Sequence, residues 1–354
     1  MRRSAPRQVL IALSATFVAA VQAQDAQIAG NAFTQPQRMV EVAPGVRLNV
    51  YCTGKGSPTV IFVGGITTDL KFWGLVQPAI AADARTCSYD RAGLGFSDSS
   101  PRASDAANIV DELHRMLAAA RIGPPYVFVG ASAGGLYSRL YMHDYPGEVV
   151  GLVLVDSSHE EQRDGFWKTD WRGLSLEQWE SVAIDPSLAE RRACIAAAST
   201  GSLTRGSELY SKCIFPPVAQ FAPAVQEVED RQQMSAAFQR VQHSEEGALT
   251  RDSARQVRAA RQSLGDLPLI VLSRDRFPPA ENATPERLSR METRYQMWLG
   301  LARDLASLST NGQHRIVAGA GHDIEIDRPQ AVIDATREVL AIVRQRARNG
   351  IVNQ

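Results

Sequence analysis

Two short motifs carry the side chains best suited to chemistry. Gly130-Ala131-Ser132-Ala133-Gly134 fits the pattern G-x-S-x-G and follows the apolar run Tyr126–Val129. A serine held between small residues at a sharp strand-to-helix turn can project its hydroxyl as a nucleophile, because the backbone closes only if its neighbours are small. A helix starting just after Ser132 would aim the Ala133 N–H at a developing oxyanion. A second donor should come from the turn after the apolar run Thr59–Val63, Gly64-Gly65-Ile66. Its position after that run favours Ile66, with Gly65 as the neighbouring choice.

A serine alcohol attacks poorly until a base takes its proton. Of the six histidines, only His322 stands in a glycine-rich loop past the last apolar run, in Gly319-Ala320-Gly321-His322-Asp323. His114 and His143 lie on helical patterns, His314 begins a strand, and His243 falls in a polar helical segment. His159 follows the run ending at Val155 and could line a pocket, so it is expected to bind substrate rather than act as base. A carboxylate is then needed to hold the histidine tautomer and stabilise its protonated form. Asp323, adjacent to His322, would point away from the ring.

These residues need a scaffold that brings loop ends together. Val46–Cys52 alternates apolar and polar residues, as a half-buried strand should. Thr59–Val63, Tyr126–Val129, Leu152–Val155 and Leu267–Ser273 read as buried parallel strands, with weaker strands at Arg85–Tyr89 and His314–Val317. Helical spacing covers Ser104–Ala120, Pro285–Leu308 and Pro329 to Arg346. Strands alternating with helices predict an α/β fold with a mostly parallel sheet, whose strand ends collect catalytic groups. From about Ser157 to Leu264 the strand signal disappears, and this stretch reads as a helical insertion carrying Trp167, Trp171 and Trp179.

The 354 residues are 44% hydrophobic and 21% charged, with 38 basic and 38 acidic side chains. That balance is ordinary for a globular protein and offers no basic patch for nucleic acid. Arg2, Arg3 and Arg7 precede an apolar run from Val9 to Val21, the layout of a secretory signal peptide cut before Gln24. The run is too short, and too interrupted by Ser14 and Thr16, for a membrane span. A secreted or periplasmic location is expected, with no span left after cleavage. An oxidising compartment favours disulfides, and of the three possible pairings Cys52–Cys87 and Cys194–Cys213 are favoured. Neither a metal-binding spacing nor a dinucleotide or phosphate loop is present, so no metal or cofactor is expected, and the partner is a small-molecule substrate.

Taken together, Gly-Ala-Ser-Ala-Gly-Gly at 130–135, Tyr-Asp-Arg-Ala-Gly-Leu-Gly-Phe-Ser-Asp at 89–98, Leu-Val-Leu-Val-Asp at 152–156 and Gly-Ala-Gly-His at 319–322 resemble the α/β-hydrolase superfamily. The resemblance implies an eight-stranded α/β core with a helical lid inserted after the sixth strand. The corresponding division is a signal peptide (1–23), a flexible N-terminal segment (24–37), core (38–156), lid (157–266) and core again (267–354). It also implies early strands ordered 1-2-4-3, which sets Cys52 and Cys87 on adjacent strands. The 89–98 turn is given a structural role. In most of the superfamily the acid follows the strand ending at Ser273; the usual spacing lands near Phe277, while Asp275 comes two residues early. Some members place it after the preceding strand, here at Asp156, and relatives with the wording Val-Asp-Ser-x-His favour Asp156 over Asp275. A serine nucleophile argues against dehalogenase or epoxide hydrolase chemistry, which uses an aspartate at that position. The expected activity is cleavage of an ester-type bond through an acyl-enzyme. Trp167 and its neighbours in the lid are expected to supply apolar walls. A peptidase or carbon–carbon bond hydrolase on the same fold, and a non-catalytic binding protein, are the alternatives.

Overall fold

The computed structural model describes residues 26–170, 173–276 and 282–350. The signal-peptide region, Trp171 and Phe277 lie outside the described residues. Eight strands form one sheet: β1 (Arg38–Ala43), β2 (Val46–Thr53), β3 (Thr59–Val63), β4 (Thr86–Tyr89), β5 (Tyr126–Ala131), β6 (Val149–Val155), β7 (Leu269–Arg274) and β8 (Gly312–Val317). Their order is β1-β2-β4-β3-β5-β6-β7-β8. The β1–β2 and β2–β4 pairs are antiparallel and all others parallel. Every residue of β3 and β5 is buried, as expected of parallel strands covered on both faces.

The covering helices are α1 (Asn31–Thr34), α2 (Gln77–Ala81), α3 (Ala106–Ala119) and α4 (Ala133–Asp144) before β6. Among the described residues seven more lie between β6 and β7: α5 (Gln162–Asp170), α6 (Leu176–Ala183), α7 (Asp185–Ser199), α8 (Tyr210–Cys213), α9 (Pro223–Gln233), α10 (Ala236–Leu249) and α11 (Asp252–Ala259). The chain continues with α12 (Pro285–Ala306), α13 (Ile324–Asp327) and α14 (Pro329–Arg348). In α3 the apolar spacing puts Ile109, Leu113, Met116 and Leu117 on the buried face, and the Asp105 carboxylate caps the first turn by accepting from Asn108 N–H. Helices α3, α4, α11 and α12 pack one sheet face, and α2 and α14 the other. Among the described residues no helix is long and apolar enough to cross a membrane.

Both disulfides are present, Cys52–Cys87 and Cys194–Cys213. Cys52 and Cys87 are direct partners across the antiparallel β2–β4 pair, with Cα atoms 4.1 Å apart. Cys194–Cys213 joins α7 to α8 inside a small apolar cluster with Leu203 and Ile214.

The segment 24–37, read from sequence as flexible, is anchored at Ile28 and Phe33 among its described residues. Ile28 exchanges backbone hydrogen bonds with Gln220 and Ala222 at 2.7 and 3.0 Å. Its side chain and that of Phe33 bury against Leu70, Phe221, Val225 and Ile326. Ile28 and Phe33, five positions apart in a Gln-rich stretch, fit neither a helical nor a strand period, so this docking had no sequence signal.

Candidate active site

The loops after β3, β5, β6, β7 and β8 meet at the carboxyl edge of the parallel strands. Ser132 joins β5 to α4 at φ +50, ψ −121, a left-handed strain for a residue with a Cβ. The turn closes only because its neighbours are small: a Cβ at Gly134 would lie 2.1 Å from Val63 O, and one at Gly65 would lie 2.9 Å from Ser132 Cβ. Ser132 N–H donates to Val155 O at 3.0 Å, and Ser132 O accepts from Ser158 N–H at 2.9 Å, so the turn is tied to the end of β6.

His322 Nε2 lies 3.0 Å from Ser132 Oγ, and His322 Nδ1 lies 2.6 Å from Asp156 Oδ2. The Asp156 side chain has no exposure. Its Oδ1 accepts from Trp298 Nε1 at 2.7 Å and from Arg274 N–H at 3.1 Å, and its Oδ2 also accepts from Arg274 Nη1 at 3.1 Å. A buried carboxylate is tolerable with this many donors. The Arg274 guanidinium in turn stacks over the Trp298 ring at 4.6 Å.

Asp275 does not reach the histidine. Its carboxylate accepts from Gly319 N–H at 2.9 Å and Arg276 N–H at 2.7 Å, and these bonds hold it below the usual carboxylate range. Its role is to brace the loop that carries His322: Asp275 N–H also donates to Ala320 O at 2.9 Å.

Ser132, His322, Gly65 and Ile66 surround one cavity of about 320 Å³, walled by Phe166, Leu249 and Trp298. It shares Phe166 and Arg274 with a neighbouring cavity of about 480 Å³. Two residues expected to bind substrate stand elsewhere. His159 is buried, its Nε2 2.8 Å from Asp304 Oδ2 and its Nδ1 accepting from Glu161 N–H at 2.9 Å, so both ring nitrogens serve a structural network. Burial lowers its pKa despite the nearby Glu160 and Asp304 carboxylates. Trp167 Nε1 donates to Leu174 O at 3.1 Å within the insertion. Its neighbour Phe166 faces the cavity instead, because successive helical residues point about 100° apart. Trp298 and Phe166 were missed from sequence because only the packing of α12 and α5 turns them inward.

Glu325 also lines the cavity, and was likewise missed. It is 2% exposed, with Oε2 unpartnered among the described residues. Burial pushes its carboxyl well above the ordinary range, with Asp323, Asp156 and Asp327 adding to the rise. The neutral form is therefore the one the fold favours. Stability is fully present below the unfolded carboxyl pKa and is lost as pH climbs toward the raised folded value. Glu325→Gln should change stability little near pH 4 and raise it by about 1–3 kcal/mol near pH 8. Thermal denaturation at the two pH values checks this; an equal change at both would contradict it.

A family model described as the alpha/beta hydrolase fold matches residues 58–265, more than half of the chain. The chain belongs to the α/β-hydrolase family. This α/β hydrolase is 22% identical over 299 residues to an AB hydrolase superfamily protein of Gibberella zeae, covering 81% of the chain and 87% of that protein. Coverage of relatives varies: a Schizosaccharomyces pombe protein is 38% identical over 82 residues, 23% of this chain and 15% of that protein's length. Among solved structures, the epoxide hydrolase CorEH superposes with TM-score 0.61 at 16% identity, covering 86% of this chain and 98% of the other. A thermophilic esterase from Thermogutta terrifontis superposes with TM-score 0.55 at 21% identity, covering 87% and 99%. At these identities the likeness is one of fold.

Proposed function

We propose that this α/β hydrolase is an exported serine hydrolase that cleaves ester-type bonds of small molecules through an acyl-enzyme. The observation that carries this is the continuous Ser132–His322–Asp156 hydrogen-bond chain, at 3.0 and 2.6 Å, opening on the 320 Å³ cavity. Ser132 Oγ attacks the carbonyl carbon while His322 Nε2 takes the hydroxyl proton. The Asp156 carboxylate, fixed by Trp298 and Arg274, keeps Nδ1 as the protonated nitrogen and stabilises the imidazolium that forms. The N–H groups of Ala133 and Ile66 receive the negative charge on the carbonyl oxygen. Collapse of the tetrahedral species breaks the ester C–O bond, and His322 returns the proton to the departing alcohol. Water then attacks the acyl-Ser132 while His322 takes its proton, and as the acyl C–Oγ bond breaks His322 returns that proton to Ser132 Oγ and the acid leaves.

The serine at 132 favours this acyl transfer over the chemistry named for the epoxide hydrolase neighbour, whose likeness is confined to the fold. Export is supported by the two disulfides and by the arginine-led apolar run at the N-terminus. The apolar walls and modest volume suit a short acyl or alcohol group. The oxidised protein is expected to hydrolyse p-nitrophenyl butyrate with a burst of p-nitrophenol equal to the enzyme present, and to turn over the palmitate ester far more slowly. No turnover of either ester by folded protein would contradict the proposal.

A further inference from the structure

The turn at 89–98 was given only a structural role, and the chemistry above makes no use of it. Arg91 in that turn is 3% exposed and spends its guanidinium on four contacts. Nη1 donates to Gly64 O at 2.9 Å and Nη2 to Gly65 O at 2.5 Å, while Nε and Nη2 donate to the two carboxylate oxygens of Glu245 at 2.7 and 3.0 Å. Glu245 belongs to α10 of the insertion, and its side chain has no exposure. Its Oε2 accepts a further hydrogen bond from Thr67 N–H at 2.8 Å.

These contacts fall on three successive peptide units, the middle one carrying the expected oxyanion donor. The Gly65 carbonyl and the Ile66 N–H belong to one planar peptide and point in opposite directions. Gripping the carbonyl from the side of Arg91 therefore turns the Ile66 N–H the other way. Gly65 packs against Ser132, and no acceptor is assigned to the Ile66 N–H among the described residues. The next peptide is held as firmly: Glu245 takes the Thr67 N–H, and Thr67 Oγ1 donates to the Ile66 carbonyl at 2.6 Å. Thr67 sits at φ +59, a conformation a branched residue keeps only under outside restraint. A second buried cluster ties the same loop to the insertion: Lys71 Nζ lies 3.1 Å from Glu229 Oε2 of α9 and 2.7 Å from Gln232 Oε1, beside Asp69.

We propose that Arg91 and Glu245 are positioning residues that aim the Ile66 N–H at the reacting carbonyl, so that the inserted α10 completes the oxyanion site. The proposal rests on the serine hydrolase reading. It makes this part of the insertion a fixed brace, since moving α10 would remove the carboxylate that orders residues 64–67.

The test compares wild type, Glu245→Ala, Glu245→Gln and Arg91→Lys with p-nitrophenyl butyrate, at a temperature well below each variant's melting point. Glu245→Ala is expected to lower kcat by about 10²-fold, the scale of losing one oxyanion donor, with KM changed less than about threefold on the same grounds. Affinity for a trifluoromethyl ketone, which forms an oxyanion on Ser132, should fall in parallel with kcat, while inhibition by the butyrate product should not. Glu245→Gln, which keeps an acceptor for Thr67 N–H, should recover part of the loss. If Glu245→Ala fails to fold, the same parallel fall of kcat and ketone affinity is read in Glu245→Gln and Arg91→Lys. Lowered melting temperature with kcat and ketone affinity unchanged in the folded variants would overturn the proposal and leave the serine hydrolase reading standing. A wild-type protein that neither turns over the ester nor binds the ketone would overturn both.

Discussion

Asp156→Asn is expected to lower kcat by about 10⁴-fold, the scale seen when a triad acid becomes an amide. The mechanism of the loss is specific to this site. Asp156 Oδ1 already accepts from Trp298 Nε1 and Arg274 N–H. An asparagine would keep its oxygen there and present its NH₂ to His322 Nδ1. That nitrogen would have to become the acceptor, leaving the proton on Nε2, where it blocks removal of the Ser132 proton. Asp275→Asn provides the contrast. Among the described residues its carboxylate bonds to backbone N–H groups of Gly319 and Arg276, so kcat should change by no more than about tenfold through loosening of the His322 loop. Steady-state kinetics of the two variants with p-nitrophenyl butyrate decide the matter. Equal losses, or a greater loss at Asp275, would move the acid away from Asp156.

Ser132→Ala should remove about 10⁶-fold of kcat, and His322→Ala a similar amount, with the double variant no worse than either. That non-additivity is the signature of groups acting as one unit: once the base has no nucleophile to activate, removing it costs nothing more. Residual turnover would come from the oxyanion donors and from binding alone. Stopped assays at high enzyme concentration, with each variant's far-UV circular dichroism compared with wild type, provide the measurement. Losses that multiply in the double variant would show that serine and histidine serve separate steps.

How much of this was legible in the sequence differed by element. Ser132 and His322 were readable because each sits in a short loop whose small neighbours serve a local geometry, and local geometry leaves a local pattern. The fold was readable from continuous apolar runs such as Thr59–Val63, and the sheet order 1-2-4-3 from family resemblance. Strand β1 was not singled out, because Arg38–Ala43 is a short edge strand carrying Arg38 and Glu41, and edge strands need only one apolar face. The acid stayed open between Asp156 and Asp275 because both follow parallel strands. Only the pairing of β6, β7 and β8 turns one carboxylate to Nδ1 and the other to Gly319 N–H. His159 was placed at the cavity on its position after the strand ending at Val155, and Trp167 as an apolar wall of the inserted segment. Four residues past a strand is enough for the chain to reverse, and His159 ends facing Asp304 on α12. The walls contributed by Phe166, Leu249 and Trp298 come from three separate helices, and the Arg91–Glu245 clamp joins residues more than a hundred positions apart, contacts for which a single sequence offers no signal.

The central claim is that Ser132 is an activated nucleophile in an acyl-transferring site. Intact mass spectrometry after treating the oxidised protein with a fluorophosphonate tests it most directly. The expected result is a single phosphonate adduct on wild type, mapped to Ser132, that is absent from Ser132→Ala and formed far more slowly on His322→Ala. Folded wild-type protein that takes up no adduct, or that takes it up equally in Ser132→Ala, would contradict the claim.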